Sequence, residues 1–225
     1  MINDKKYWHS PCYAIYNFKH LIGKIGVEKA FHCKKELEAY ISALTLLAIN
    51  HIEGEPWWLQ VPESDPPDIL AGYWFIKNDG GGGLAIQEIE VFRIEGYTQE
   101  KISNAIKRKL HNKAYAPKTT LVGLINRDQE IADLRIISKE VKETKPKISS
   151  IWLVGNVDDI TQSTYLIFQV FPELKINKIK VNEECERLKP HGHLMRTTWS
   201  SKKGTAIKSS IPKQKFPLLI PNGSY

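Results

Sequence analysis

Four consecutive glycines, Gly80 to Gly83, separate two runs of strand formers, and no other stretch of this 225-residue chain constrains the fold as much. Before them, Asp68 to Lys77 (DILAGYWFIK) is rich in aromatic and β-branched residues. After them, Leu84 to Ile94 (LAIQEIEVFRI) has the same character. The connecting residues Asn78 to Gly83 tolerate positive φ angles and suit a reversal. The pattern predicts an antiparallel hairpin, and Pro66-Pro67 fixes where its first strand begins, because proline cannot donate to a ladder.

The remaining elements follow from periodicity. Val27 to Glu53 reads as a helix with apolar residues at Leu37, Tyr40, Ile41, Leu44, Leu47 and Ala48, ended by Gly54 and Pro56. Trp57 to Val61 is a short strand; of its adjacent tryptophans, one faces the core and the other could stack on bases. Thr98 is an N-cap for a helix reaching Lys113. Thr119 to Ile125, Ile151 to Val157 and Tyr165 to Phe171 are buried strands, and Asp128 to Lys142 is helical. A helix joins strand 84–94 to strand 119–125, so that pair should be parallel through a right-handed crossover. The fold class is therefore α/β, with a mixed central sheet: an antiparallel meander, then a parallel strand reached by a crossover helix, with flanking helices.

Three segments divide the chain. Residues 1–30 form an N-terminal extension without an assigned element, residues 31–175 the α/β domain, and residues 176–225 a basic, poorly ordered tail. The net charge of +7 is uneven: Lys175 to Tyr225 holds 11 Lys+Arg against 3 Asp+Glu, and the rest of the chain 21 against 22. A polyanion would favour such a tail; a merely solubilising end is the competing reading. Three cysteines without a C-x-x-C pair point to a reducing cytoplasm rather than a disulfide framework. No apolar run reaches the ~20 residues of a membrane span, so no membrane partner is expected.

Chemistry concentrates on the hairpin. Side chains alternate along a strand, so Glu88 and Glu90 point the same way, roughly 6–7 Å apart. Like charges so placed call for a cation or water between them. Asp68, starting the partner strand, can meet them, and three carboxylates suit Mg²⁺ or Mn²⁺. The competing reading is a solvated acidic face with Asp68 as a turn residue, and Glu63 or Asp65 could take the ligand role instead.

Pro67-Asp68 followed 20 residues later by Glu88-Ile89-Glu90 resembles the PD-(D/E)xK nuclease motif in its E-x-E variant, as found in some restriction endonucleases. The coarse order of elements over about residues 34–125 resembles that family as well. The resemblance implies a restriction-endonuclease-like fold and Mg²⁺-dependent hydrolysis of phosphodiester bonds in DNA. It implies metal ligation by Asp68, Glu88 and the main-chain carbonyl of Ile89, and a homodimer to cut both strands. Glu90 stands where the family usually carries lysine. It would act as general base through a water or hold a second metal, and the substitution leaves open an inactive, nucleic-acid-binding or assembly module. An acid on the first helix completes such sites; Glu36 and Glu38 are available, and Glu36 is preferred because it shares a side with Leu47.

Lys101, Lys107, Arg108, Lys109 and Lys113 crowd one helix and could contact phosphates, against the alternative of a solvated face. His191-Gly192-His193 reads as a surface loop rather than a metal pair. Gly80 to Gly83 lacks the G-x-x-x-x-G-K-[ST] of a phosphate loop, and neither G-x-S-x-G nor G-x-G-x-x-G occurs.

Overall fold

A computed structural model describes residues 7–54, 56–62, 66–76, 82–95, 100–126, 133–156, 164–188, 194–199 and 207–209. The hairpin forms as read. β3 (Ile69–Ile76) pairs antiparallel with β4 (Gly82–Glu95), in a register running from Ile69 opposite Ile89 to Ile76 opposite Gly82. β2 (Trp58–Gln60) adds antiparallel to β3. Beyond β4, α4 (Ile102–Asn112) crosses over to β5 (Thr119–Asn126), which is parallel to β4. α5 (Leu134–Glu143) repeats the move to β6 (Ser150–Asn156), and β7 (Thr164–Phe171) returns antiparallel. The α/β class and the mixed sheet are as the sequence indicates.

α3 (Lys34–Glu53) lies across one face of the sheet, where Ile41, Leu44, Ile69, Ile89, Val122 and Ile167 join one core. Gly54 ends it at φ 75°, donating its N–H to Asn50 O at 3.0 Å; the left-handed conformation explains the glycine. α4 and α5 cover the other face over Ile94, Leu121, Ile151 and Leu153. Bulk is matched to space there. A Cβ on Gly123 would lie 2.7 Å from the Phe92 ring and 3.0 Å from Leu153.

Four expectations are corrected. First, the single helix over 27–53 is two, α2 (Val27–His32) and α3, separated at Cys33, whose ψ of 86° is not helical. Second, residues 7–30 are no extension. β1 (Tyr7–His9) is a strand of the sheet, and α1 (Pro11–Ile25) packs on α3 through Ala14, Ile15 and Phe18. Ser10 caps α1 by accepting from Tyr13 N at 3.2 Å, and Pro11 opens it at a position where no N–H is needed. Third, the beginning of the supposed tail is folded. β8 (Lys175–Lys180) pairs with β7, and α6 (Val181–Leu188) follows it and docks on α3. His51 and Arg187 both bind Glu184 at 2.8 Å, tying the end of α3 to α6. Fourth, two cysteines are joined: Cys12 in α1 and Cys185 in α6 form a disulfide, with Cα atoms 5.5 Å apart, and Cys33 is free.

β9 (Leu194–Trp199) pairs antiparallel with β1, and β10 (Ile207–Ser209) with β9. The strand order is β10-β9-β1-β2-β3-β4-β5-β6-β7-β8. Among the described residues no helix is long and apolar enough to cross a membrane. The glycine reversal at 78–81, Glu63, Asp65, Thr98, His191, His193 and most of the lysine-rich end lie outside the described residues.

Candidate metal and phosphodiester site

The register of the hairpin decides which acids meet. Ile69 stands opposite Ile89 and Leu70 opposite Glu88, so the next pair outward is Asp68 and Glu90. Both are buried, at 7% and 6% relative exposure, although carboxylates are almost never buried without a partner. Asp68 Oδ2 accepts the Val91 N–H at 2.8 Å. Among the described residues Asp68 forms no ion pair. Glu90 Oε1 receives Lys113 Nζ at 2.7 Å. Glu88, half-buried, takes a long hydrogen bond from Thr119 Oγ1 at 3.4 Å on β5. The two glutamates thus share a face, as read, but they stand in different surroundings.

Of the two acids on α3, Glu38 rather than Glu36 feels the charge of Asp68. Glu38 is 6% exposed, and its carboxyl titrates above the ordinary range. Burial is the largest cause and the charge of Asp68 the next, opposed by Lys35 at 3.1 Å and Lys34 at 3.6 Å. Glu36 is only partly buried and sits one turn before Tyr40, which stacks on Phe18 of α1 at 4.5 Å. The sequence could not distinguish the two because α3 is buried on both flanks: Tyr40, Ala43 and Leu47 on one, Ile41, Thr45 and Ala48 on the other.

Two further groups, from the α4–β5 connection, enter the same space. Lys113 is the first. The second is Tyr115, whose hydroxyl is pushed up to about 12 by burial, then by the charges of Glu90 and Asp68. Lys113 Nζ also lies 5.4 Å from the Tyr115 ring centre. No sequence signal marked Tyr115. Lys113 lies just past the basic helix α4, and its charge is turned toward an acid. The rest of that helix divides. Arg108 pairs with Glu100 at 2.8 Å and Lys107 with Glu140 at 3.5 Å, while Lys101 is exposed and Lys109 half-buried on the helix surface. Ile89 is core, and its backbone lies between β3 and β5, opposite Ile69 and Thr120, inside the sheet rather than at an open end.

On the opposite side of β4, Gln87 donates to Thr120 and, at 3.0 Å, to Ser149. Thr120 meets Ser150 at 2.9 Å, and Trp152 Nε1 donates to Ser150 at 3.1 Å. This polar seam satisfies the buried ends of β5 and β6 and was not foreseen, because hydroxyls spread over three segments carry no periodicity.

Among the described residues, no three His, Cys, Asp or Glu side chains stand close enough together to hold an ion. Oxygen is the donor that a hard cation takes. All the acids offer oxygen, and Asp68, buried and without an ion pair among the described residues, raises the titration of its neighbour Glu38. No family model matches this chain, and no curated protein matches it.

The raised Glu38 carboxyl has a consequence for stability without metal. It holds more protons folded than unfolded, so stability falls as pH rises from the ordinary value of 4.5 toward the higher folded one. Glu38→Gln removes that cost and forfeits only ion pairs with lysines, one of them, Lys34, 68% exposed. Metal-free melts should show the variant a few degrees more stable than wild type at pH 7, with the gain shrinking at pH 4. An equal gain at both pH values would show that charge is not the cause.

Proposed function

We propose that this chain is a divalent-metal-dependent nuclease that hydrolyses phosphodiester bonds of DNA. The observation that carries this reading is Asp68: a carboxylate 7% exposed, opposite Glu90, beside Glu38, and without an ion pair among the described residues. Burying such a charge is expensive unless a partner joins it, and a divalent ion is a partner of the right charge.

Asp68 and Glu90, opposite one another across the hairpin, would hold the ion. Bound there, Mg²⁺ or Mn²⁺ supplies charge stabilisation at the phosphoryl oxygens and a more acidic water. The chain's own groups do the rest. Glu38, with its raised affinity for protons, accepts one from the attacking water more readily than an ordinary carboxylate. Tyr115 keeps its proton to about pH 12 and can donate a hydrogen bond to a non-bridging oxygen. Lys113 brings from the α4–β5 connection the positive charge that Glu90 displaces from the E-x-K position of the resembling family. Cutting both strands of a duplex would call for a homodimer.

The same Lys113–Glu90 pair favours a second reading, a nucleic-acid-binding or assembly module without catalysis, because it neutralises Glu90 with no metal at all. Nicking of supercoiled plasmid separates the two. Wild-type protein should nick in Mg²⁺ or Mn²⁺ and stop in EDTA. Absence of cleavage with either ion at high protein concentration would remove the catalytic reading.

A further inference from the structure

The α4–β5 connection does more than deliver Lys113. With the α5–β6 connection it encloses an open cleft of about 270 Å³. Its lining includes His111, Lys113, Tyr115, Lys145 and Lys147, and no carboxylate. Two cations of α4 pair off with acids instead: Lys107 with Glu140, and Arg108 with Glu100. His111, Lys145 and Lys147 are exposed and form no ion pair among the described residues. The dipole of α5 does not account for the two lysines, since it acts within the last turn and both lie beyond Thr144. A second cleft, lined by Arg135, Lys139 and Lys142, also contains Glu143 and is not lined by Lys113 or Tyr115.

Two residues of its lining, Lys113 and Tyr115, also face the carboxylates. Lys113 reaches Glu90 at 2.7 Å, and Tyr115 feels the charges of Glu90 and Asp68. A chain of phosphates arriving at those carboxylates therefore meets like charge on one side and a carboxylate-free cationic groove on the other. We propose that this cleft is a phosphate-binding subsite for duplex DNA. Lys145, Lys147 and His111 contact the backbone flanking the bond presented to Asp68 and Glu90. The inference rests on the nuclease reading for the position of that bond. The contacts position the duplex and read no sequence.

Lys145 permits a clean test. Its φ is +48°, a left-handed conformation that glycine adopts at lower cost, so Lys145→Gly removes a charge while relieving the backbone. Lys145→Gly/Lys147→Gln should melt at or above the wild-type temperature. Binding of a labelled 20-base-pair duplex, measured in Ca²⁺ between 50 and 200 mM salt, should weaken about tenfold, with a salt slope smaller by about 2. Arg135→Gln/Lys139→Gln at the other cleft should bind as wild type does. If wild type binds and the cleft variant binds equally well, the subsite is overturned and the nuclease reading stands. If binding depends on the cleft yet plasmid is never nicked, hydrolysis is lost and the subsite stands. No binding by wild type overturns the subsite, and plasmid nicking then decides the nuclease reading alone.

Discussion

Asp68→Asn should reduce Mg²⁺-dependent DNA cleavage by about 10³-fold or more while leaving the protein at least as stable as wild type. The two halves of that expectation have one cause. Asparagine matches aspartate in shape, and its Oδ1 can accept the Val91 N–H that Asp68 Oδ2 accepts at 2.8 Å, so the start of β3 keeps its anchor. What disappears is a buried negative charge. Glu38 then ionises more easily, because Asp68 is the second largest cause of its raised titration, and the folded state loses a repulsion. The same charge is what a divalent ion would answer. Losing it removes roughly 4 kcal/mol of stabilisation of the reacting phosphate, which is the thousandfold. Cleavage rates and thermal melts of the two proteins measure both halves. A variant that still cuts at the wild-type rate would place the chemistry elsewhere. One that loses activity only by unfolding would make Asp68 a structural residue.

Breaking the Cys12–Cys185 bond should lower the melting temperature by roughly 10 °C. The bond closes a stretch of 173 residues, and the loop-closure entropy it removes from the unfolded chain is on the order of 5 kcal/mol at most. For a chain of this size each kcal/mol shifts the melting point by about 2–4 °C. Both sulfurs sit in the main core, Cys12 at 7% exposure and Cys185 packed against the same cluster, so serine at either place adds a desolvated hydroxyl. Paired alanines are the fairer substitution. Melting with and without dithiothreitol, and of Cys12→Ala/Cys185→Ala, should give the same lowered value. A melting point indifferent to reductant would mean that the thiols stay unjoined in solution.

Much of the architecture was open to reading because its signals are local. Strand formers on either side of Gly80 to Gly83 give the hairpin, and a helix between two apolar runs gives the parallel pair β4–β5. The failures are non-local or masked. Pro11 looks like a breaker until Ser10 is recognised as the cap before it. β8 hides because Lys175, Lys178 and Lys180 guard the outer strand of the order, where charge discourages further pairing, while Ile179 alone is buried. The disulfide joins residues that no spacing rule connects.

The candidate site divides along the same line. Alternation predicts that Glu88 and Glu90 share a face, and the hairpin brings Asp68 across from Glu90. Choosing Glu38 over Glu36 needed to know which flank of α3 meets Asp68, and that is fixed by where α1 packs. Lys113 and Tyr115 sit beyond the end of a helix whose basic residues suggested a solvent-facing surface, so their turn toward Glu90 could only be seen in three dimensions.

β1 lies between β2 and β9, with His9 opposite Leu59 on one side and Leu194 on the other. During synthesis β1 emerges long before its partner β9. Until then Trp8 and its neighbours can gain only the β2 side of their lattice, and an unsatisfied ribbon edge is left facing solvent or a chaperone. A chain ending before Leu194 would leave β1 paired on the β2 side alone, with its other edge open to a foreign strand.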